Sequence, residues 1–345
     1  MPGVSHLRDV RSRVFSLRDP INERRLTSAG LCGDGRPPPS KQSYASLGVL
    51  GRSHEARVIL SVVLITHDEE ANIGRTLASV QPLVAEGKGE IIVVDSGSTD
   101  RTIEIAKSYG AQVFVEQWKG YAVQKNSAID KATGDWILSL DADEEMDADL
   151  VAEIAWLLHA IPVWQQDGMP VGNDVESQKL RDRGLKIGLD EVDLNGFFIP
   201  RKNYFLGRWI RHGGFWPDSK LRLFRRDSGG FQDQAVHETV TTSGVTSAIQ
   251  HGALIHHAYP ALADYIDHMN RYSSLGAQMA VAKGHRGFNL FNIVIRPAAT
   301  FFYNYVLRLG FLDGREGLLL HLYHAVYVSW KYAKAWELAS KKELS

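Results

Sequence analysis

Apolar runs and helical patterns alternate along the chain from about residue 57 to residue 160. The first run, residues 57–66, is continuous and rich in β-branched side chains, which is typical of a strand buried on both faces of a sheet. Similar runs predict three more strands, at residues 89–95, 111–115 and 135–141. Because segments of helical spacing separate these runs, the pattern predicts an α/β fold with a mostly parallel, doubly wound sheet.

The pattern changes in the second half of the chain. Residues 161–193 are charged and have no apolar period. Shorter, mixed strands are then predicted in the segments NGFFIPR, KLRLFRR, AVHETV and ALIHHA. Helical spacing dominates after them. These changes predict a domain at residues 57–260, with halves at 57–160 and 194–260, followed by a C-terminal helical region at residues 261–345.

The N-terminal segment and the overall composition limit the classes of function. Residues 1–56 are rich in Arg, Ser, Gly and Pro and carry too little apolar surface to offset the entropy of ordering, so we predict a disordered arm. A net charge of −1 argues against a nucleic-acid partner. The single cysteine, Cys32, fits a reducing compartment. With neither a run of roughly 20 apolar residues nor a signal-peptide pattern, the sequence predicts a cytoplasmic protein.

Four acidic residues follow the fourth predicted strand within five positions: Asp141, Asp143, Glu144 and Glu145. Carboxylates at this density repel one another unless something compensates their charge. One interpretation is a solvated loop that caps the next helix, because acidic residues suit helix N-termini. The other is a site for Mg²⁺ or Mn²⁺ that also holds diphosphate oxygens. The spacing alone leaves both interpretations open.

Polar residues also follow the first two strands. Asp95 ends the second apolar run, and Gly97 allows a tight turn into the next helix. The end of the first strand lacks the G-x-G-x-x-G turn of dinucleotide-binding folds, which argues against a dehydrogenase. Because ligands of parallel sheets bind at the carboxyl ends of the strands, we expect a site where these polar residues meet.

Taken in order, these segments resemble the inverting family 2 glycosyltransferases with a GT-A fold, and more narrowly the bacterial enzymes that glucosylate the lipopolysaccharide inner core. The resemblance begins near Val58. It is carried by LSVVLITHDEEANIGRTLASV, EIIVVDSGSTDRTIEIAKSYGAQV, GYAVQKNSAIDKATGDWILSLDADEEM, FWPDSKLRLFRRD and AVHE. It implies that residues 57–260 are the catalytic domain, with the donor-binding half first and the acceptor half second.

The resemblance also implies roles for residues on the donor side. Asp95 would contact the uracil or ribose of a UDP-sugar, and Thr66 and Glu69 would line the nucleoside pocket. Asp141 would approach the ribose and sugar. Asp143, together with Asp141, would hold a divalent metal, Mg²⁺ or Mn²⁺, that bridges the diphosphate.

For the other candidate residues, the sequence leaves more than one role open. Glu238 matches the catalytic base of the family, and the alternative is an exposed glutamate at a strand end. Lys125 is assigned to the donor side, with a packing role equally open. Arg222 would bind phosphate or an anionic acceptor, or it would belong to the solvated face of an alternating strand. His256 and His257 suggest a second metal site or, more simply, hydrogen-bonded core histidines.

The expected reaction is a metal-dependent, inverting transfer of a hexose, glucose by resemblance, to a lipid-anchored saccharide such as a lipopolysaccharide core heptose. The acceptor hydroxyl attacks the anomeric carbon, a carboxylate takes its proton, and the metal neutralises the departing diphosphate. Two alternatives remain. One is transfer to a polyprenyl phosphate, and the other is a nucleotide-sugar-binding protein without catalysis.

Two apolar stretches near the C-terminus, residues 298–311 and 317–330, are each too short to span a membrane. Basic residues flank them, including Arg296 and Arg308. One interpretation is a pair of helices packed on the domain or in a dimer. The other is a platform that lies in a membrane interface, on the cytoplasmic face of the inner membrane, where it would help to reach a lipid-linked acceptor.

Overall fold

The structure, a computed structural model, describes residues 59–167, 194–232, 239–285 and 288–343. The predicted N-terminal arm and Glu238 lie outside the described residues, as does most of the charged loop region. The described strands are β1 (Leu60–Thr66), β2 (Gly89–Asp95), β3 (Gln112–Val115), β4 (Trp136–Ser139), β5 (Glu144–Met146), β6 (Leu194–Ile199), β7 (Arg201–Phe205), β8 (Arg208–Trp209), β9 (Lys220–Arg225), β10 (Gly229–Gln232), β11 (Thr239–Thr242), β12 (Val245–Ala248) and β13 (Leu254–Tyr259).

Helices connect the first strands and form the C-terminal part of the chain. The α-helices are α1 (Ile73–Val84), α2 (Thr102–Ser108), α3 (Tyr121–Asp130), α4 (Ala148–Asp167), α5 (Leu262–Ala282), α6 (Arg296–Phe301) and α7 (Gly314–Glu343). π-Helical turns at Phe291–Ile295 and Phe302–Leu307 extend α6 at both ends. None of the helices among the described residues combines the length and apolarity that crossing a bilayer requires.

A seven-stranded sheet with the order β12-β6-β9-β4-β1-β2-β3 forms the centre of the fold. β9 runs antiparallel to both of its neighbours, and the other pairs are parallel. The α/β class, the mostly parallel sheet and the C-terminal helical extension that the sequence predicts are confirmed. The predicted boundaries of the domains stay predictions.

The sheet is buried on both faces, which explains the unbroken apolar runs of its central strands. In β1, Val62 packs in one core layer with Leu77 of α1, while its neighbour Val63 packs in the other with Ala128 of α3. Alternate side chains of a strand point to opposite faces, so both faces need apolar residues. A fully buried Val or Leu contributes roughly 1.5–3 kcal/mol to folding.

A second sheet, with the order β5-β13-β7-β8, packs the acidic segment against the later part of the chain. His256 of β13 lies opposite Glu144 of β5 on one side and Asn203 of β7 on the other. Because β5 follows β4 after only four residues, the carboxyl edge of the large sheet continues directly into this smaller sheet. The two sheets therefore meet at the predicted site.

Candidate active site

The turn after β2 is built around the carboxylate of Asp95. Its Oδ1 accepts hydrogen bonds from the backbone N–H groups of Gly97 (2.9 Å) and Ser98 (2.8 Å). Its Oδ2 accepts from the Thr66 hydroxyl (2.8 Å) and the Ser98 hydroxyl (2.5 Å). Gly97 has φ +92°, a left-handed conformation that favours glycine. A carboxylate has about four acceptor positions, so these bonds fill them all.

Asp95 therefore positions the turn between β2 and α2. Its side chain is fully buried, and Thr66, paired with it in the β1–β2 register, is also buried. The structure brings the two predicted residues together, but it gives both of them internal partners. Direct contact of Asp95 with a uracil or ribose, and of Thr66 with the nucleoside, stays a prediction. Asp95 and Thr66 hold the backbone and hydroxyl groups of this turn in place.

Replacing Thr66 with valine should lower the free energy of unfolding by about 1–3 kcal/mol, because a buried carboxylate oxygen loses a hydrogen-bond donor. The two side chains have nearly the same shape, so packing changes little. Urea denaturation measures the effect. Thr99→Val, at an exposed position of the same turn, is the control and should cost less than about 0.5 kcal/mol. Equal losses in the two variants would contradict this account of the turn.

Glu69 faces the acidic segment from the end of β1. Burial raises the pKa of its carboxyl group above the ordinary value, a hydrogen bond from Asn72 opposes this, and the negative charges of Asp143, Asp100 and Asp141 raise it further. Glu69 and the acidic segment follow β1 and β4, which are parallel neighbours, so they lie at one edge of the sheet. That is the arrangement expected of a shared ligand site.

Asp141 lies between two cationic side chains. Its Oδ1 is 2.9 Å from Lys125 Nζ, and its Oδ2 accepts a hydrogen bond from Arg222 Nη2. The same Nη2 donates to Glu144 Oε1 at 2.8 Å, and the Asp141 backbone N–H donates to Glu144 Oε2 at 3.0 Å. Although burial raises it, the two cations hold the pKa of Asp141 well below its ordinary value. Asp141 is thus neutralised by protein side chains.

This pairing changes the roles inferred from sequence. The expectation that Arg222 lies on a solvated face is wrong, because the residue is 6% exposed and β9 is inserted between β4 and β6. Its guanidinium also binds two internal carboxylates rather than pointing into solvent towards a phosphate. Lys125 is likewise buried against Asp141. With a cation on each oxygen, Asp141 fits the predicted metal-ligand role poorly, since a metal ion there would be repelled.

The surroundings of Asp143 differ from those of Asp141. Its Oδ2 lies 3.2 Å from Nε2 of His256. The other ring nitrogen, Nδ1, is 2.7 Å from the side-chain oxygen of Asn203, whose amide nitrogen donates to the Asp218 carboxylate (3.2 Å). This network assigns the Asn203 oxygen as an acceptor, so Nδ1 carries the proton.

The lone pair of His256 Nε2 and a carboxylate oxygen of Asp143 therefore face each other. Two acceptors at this distance require a second proton on the ring or a cation that both bind. Burial raises the pKa of Asp143, but His256 with the second proton lowers it, because the ring then donates a hydrogen bond to Asp143 and carries a positive charge. An oxygen and a nitrogen donor that converge in this way fit a divalent metal. Among the described residues, no group of three or more His, Cys, Asp or Glu side chains converges on a metal position.

A pocket of about 260 Å³ begins beside His256, on the side of the second sheet. Polar groups of Arg201, Asn203 and Asp218 line one part of it. Aromatic rings, including those of Phe215 and Tyr259, line another. Arg201 is fixed by ion pairs to Glu144 (3.1 Å) and Asp218 (2.6 Å). Sequence reasoning did not find this pocket, because its residues come from segments far apart in the chain.

Residues 61–227 match the model of Glycosyl transferase family 2. The chain is 28% identical over 294 residues to the lipopolysaccharide core biosynthesis glycosyltransferase LpsC of Rhizobium meliloti, which covers 81% of this chain and 92% of the relative. An uncharacterized glycosyltransferase of Rickettsia typhi is 44% identical over 98 residues, covering 28% of this chain and 32% of the relative.

Solved structures give weaker likenesses. The crystal structure of S. aureus TarS 1-349 in complex with UDP is 16% identical and covers 83% of this chain and 92% of that one, with a TM-score of 0.37. A Mycobacterium tuberculosis glucosyl-3-phosphoglycerate synthase in complex with Mn²⁺, UDP and glucosyl-3-phosphoglycerate is 16% identical and covers 65% of this chain and 79% of that one, with a TM-score of 0.38.

Proposed function

Because the chain is a family 2 glycosyltransferase with the GT-A fold that its sequence predicts, we propose that it transfers a hexose from a UDP-sugar to a lipid-anchored saccharide with the help of a divalent metal. A lipopolysaccharide core heptose is the proposed acceptor and glucose the proposed sugar. The relation to LpsC supports the acceptor class, since that relative is described as an enzyme of lipopolysaccharide core biosynthesis.

The Asp143–His256 pair carries the proposal. It lies where the carboxyl edge of the large sheet meets the second sheet, and a cation between its oxygen and nitrogen would take the place of the second ring proton. Asp143 and His256 would hold Mg²⁺ or Mn²⁺, and diphosphate oxygens and water would complete the coordination. When bound, the metal neutralises negative charge on the leaving diphosphate. Lys125 and Arg222 keep Asp141 in place beside it.

The pocket beside His256 is the proposed acceptor side. Planar polar groups and aromatic rings together suit a saccharide, whose hydroxyl groups form hydrogen bonds while its C–H faces pack on rings. Glu69 and the Asp95 turn lie at the ends of β1 and β2, on the donor half. If the diphosphate of the donor is held near Asp143, the acceptor hydroxyl would approach the donor sugar from the pocket.

The base of the reaction is proposed to be Glu238. Replacing it with glutamine should lower kcat about 100-fold for a hydroxyl acceptor, because proton removal loses its acceptor. Binding of the UDP-sugar, measured by calorimetry, should be unchanged. A polyprenyl phosphate acceptor is already an anion and needs little base assistance, so most activity retained with that acceptor would instead favour the alternative transfer.

The proposed function is tested by UDP release from a panel of nucleotide sugars. We expect slow release from one UDP-sugar with Mn²⁺ or Mg²⁺ present, and its loss when a chelator removes the metal. Release that survives the chelator would contradict the metal. Binding of UDP without turnover of any sugar, in the presence of lipopolysaccharide core acceptors, would support the non-catalytic alternative instead.

A further inference from the structure

The helical segment that follows α5 exposes an unusual amount of apolar surface. Between residues 288 and 312, the described side chains that are both large and exposed are Phe288, Leu290, Phe291, Val294, Ile295, Phe302, Tyr303, Val306, Leu307, Leu309, Phe311 and Leu312. Leu290 and Leu307 are 63% and 60% exposed. We call the face formed by residues 288–312 the apolar surface. Water-soluble proteins rarely expose contiguous apolar surface of this extent except at interaction sites.

The exposed residues follow the period of the helix. They recur at 291, at 294–295, at 302–303 and at 306–307, and the exposed alanines 298 and 299 fill the gap between them. The opposite side of the segment packs on α7, where the Ser329 hydroxyl donates to the carbonyl of Ile293 (2.9 Å) and Arg296 contacts Tyr332. The segment is thus held on the protein by one side, and the other side is a continuous apolar stripe.

The charged residues of the segment itself are all basic. Residues 284–312 contain no Asp or Glu, and Lys283, Arg286, Arg296 and Arg308 lie in or beside them. Lys283 and Arg308 are exposed. The first acidic residue after the stripe, Asp313, is buried and accepts hydrogen bonds from the backbone of Arg211 (3.2 Å) and His212 (2.8 Å). An apolar face whose own charged residues are cations complements an anionic lipid surface.

The apolar surface is tied directly to the pocket. The backbone N–H of Gly213 donates to the carbonyl of Arg308 at 2.9 Å. The next residues, Gly214 and Phe215, line the pocket, as does Leu320 of α7. A partner that binds the apolar surface would therefore lie next to the loop that forms the wall of the pocket.

We propose that the apolar surface inserts into the interface of an anionic bilayer and presents the pocket to that bilayer. The aromatic and aliphatic side chains enter the boundary between headgroups and acyl chains, and the basic side chains contact anionic headgroups. Only the placement of the acceptor side near lipid rests on the proposed function. Binding to lipid itself requires neither donor nor acceptor.

Vesicle co-sedimentation of the full chain tests the proposal. We expect binding to phosphatidylcholine vesicles that contain phosphatidylglycerol, weaker binding to phosphatidylcholine alone, and a decrease as salt concentration rises. The double variant Phe302→Glu, Leu307→Glu should bind the anionic vesicles at least about tenfold more weakly, since two charges would have to enter the interface. Both positions are exposed, so the fold should be retained, as checked by thermal melting.

Val123→Glu, Val245→Glu is the matched control, because it adds the same charge at exposed valines outside the apolar surface. It should bind anionic vesicles as the unmodified chain does. No binding by the unmodified chain, or an equal loss in the control, would overturn the proposal. The proposal would also be overturned if light scattering showed a dimer of the unmodified chain, the Phe302→Glu, Leu307→Glu variant were monomeric, and vesicle binding were absent. The apolar surface would then bind a second copy of the chain. UDP release, assayed without vesicles, tests the proposed function separately.

Discussion

Replacing Arg222 with methionine is expected to lower the free energy of unfolding by about 3–5 kcal/mol, the usual loss when one partner of a buried ion pair is removed. The guanidinium is 6% exposed and donates to both Asp141 and Glu144. Without it, Asp141 retains Lys125 and Glu144 retains Arg201, but two neighbouring carboxylates lose the cation between them. Urea denaturation, followed by tryptophan fluorescence, measures the change.

Lys220→Met is the matched control for this variant. Lys220 lies on the same strand, two positions earlier, and its side chain is 46% exposed beside Asp218 at 2.8 Å. An exposed ion pair contributes about 0–1 kcal/mol. If Arg222→Met, like Lys220→Met, lowered the free energy of unfolding by less than about 1 kcal/mol, Arg222 would not stabilise the acidic segment as described.

The second large effect concerns chemistry. Asp143→Asn is expected to reduce kcat for UDP release about 1000-fold, because the neutral amide cannot hold a divalent cation that contributes several kcal/mol to the transition state. The amide keeps the size of the carboxyl group, so the melting temperature should change little. A Mn²⁺ titration should show that more metal is needed for the remaining activity.

His257→Gln is the control for Asp143→Asn. His257 follows His256 in β13 and lies 3.3 Å from Glu145, a neighbouring acid. Alternate residues of a strand point to opposite faces, so His257 should not reach the metal position. Its variant should keep most of the activity and the same Mn²⁺ dependence. If the two variants lose activity equally, the metal position is not at Asp143.

The four strands in the first half of the chain could be inferred from sequence because each carries an apolar run. The helical pattern after the fourth predicted strand is observed as α4, which begins at Ala148. The helical pattern between the first two predicted strands is observed as α1, which begins only at Ile73. Asp68 has φ +52°, so the chain turns before the helix can begin. Local pattern sets the type of an element more reliably than its first residue.

The partners of the acidic residues could not be inferred in this way. Arg222 has the same alternating pattern whether its strand lies at an edge or inside a sheet, and its contact with Asp141 joins residues 81 positions apart. The pairing of His256 with Asp143 depends on strands from distant segments as well. One signal was present: a histidine pair near the end of an apolar strand. Glu238 and the donor contacts of Asp95, Thr66 and Glu69 remain predictions.

The position of β9 has a consequence for synthesis on the ribosome. β4 and the acidic segment leave the ribosome long before β9, which pairs with β4 and carries Arg222. Until then β4 is an open sheet edge beside an acidic segment that lacks one of its cations, and such edges invite pairing with other chains. The nascent chain should therefore complete its large sheet only after residue 225 has emerged, and truncations that end before it should aggregate.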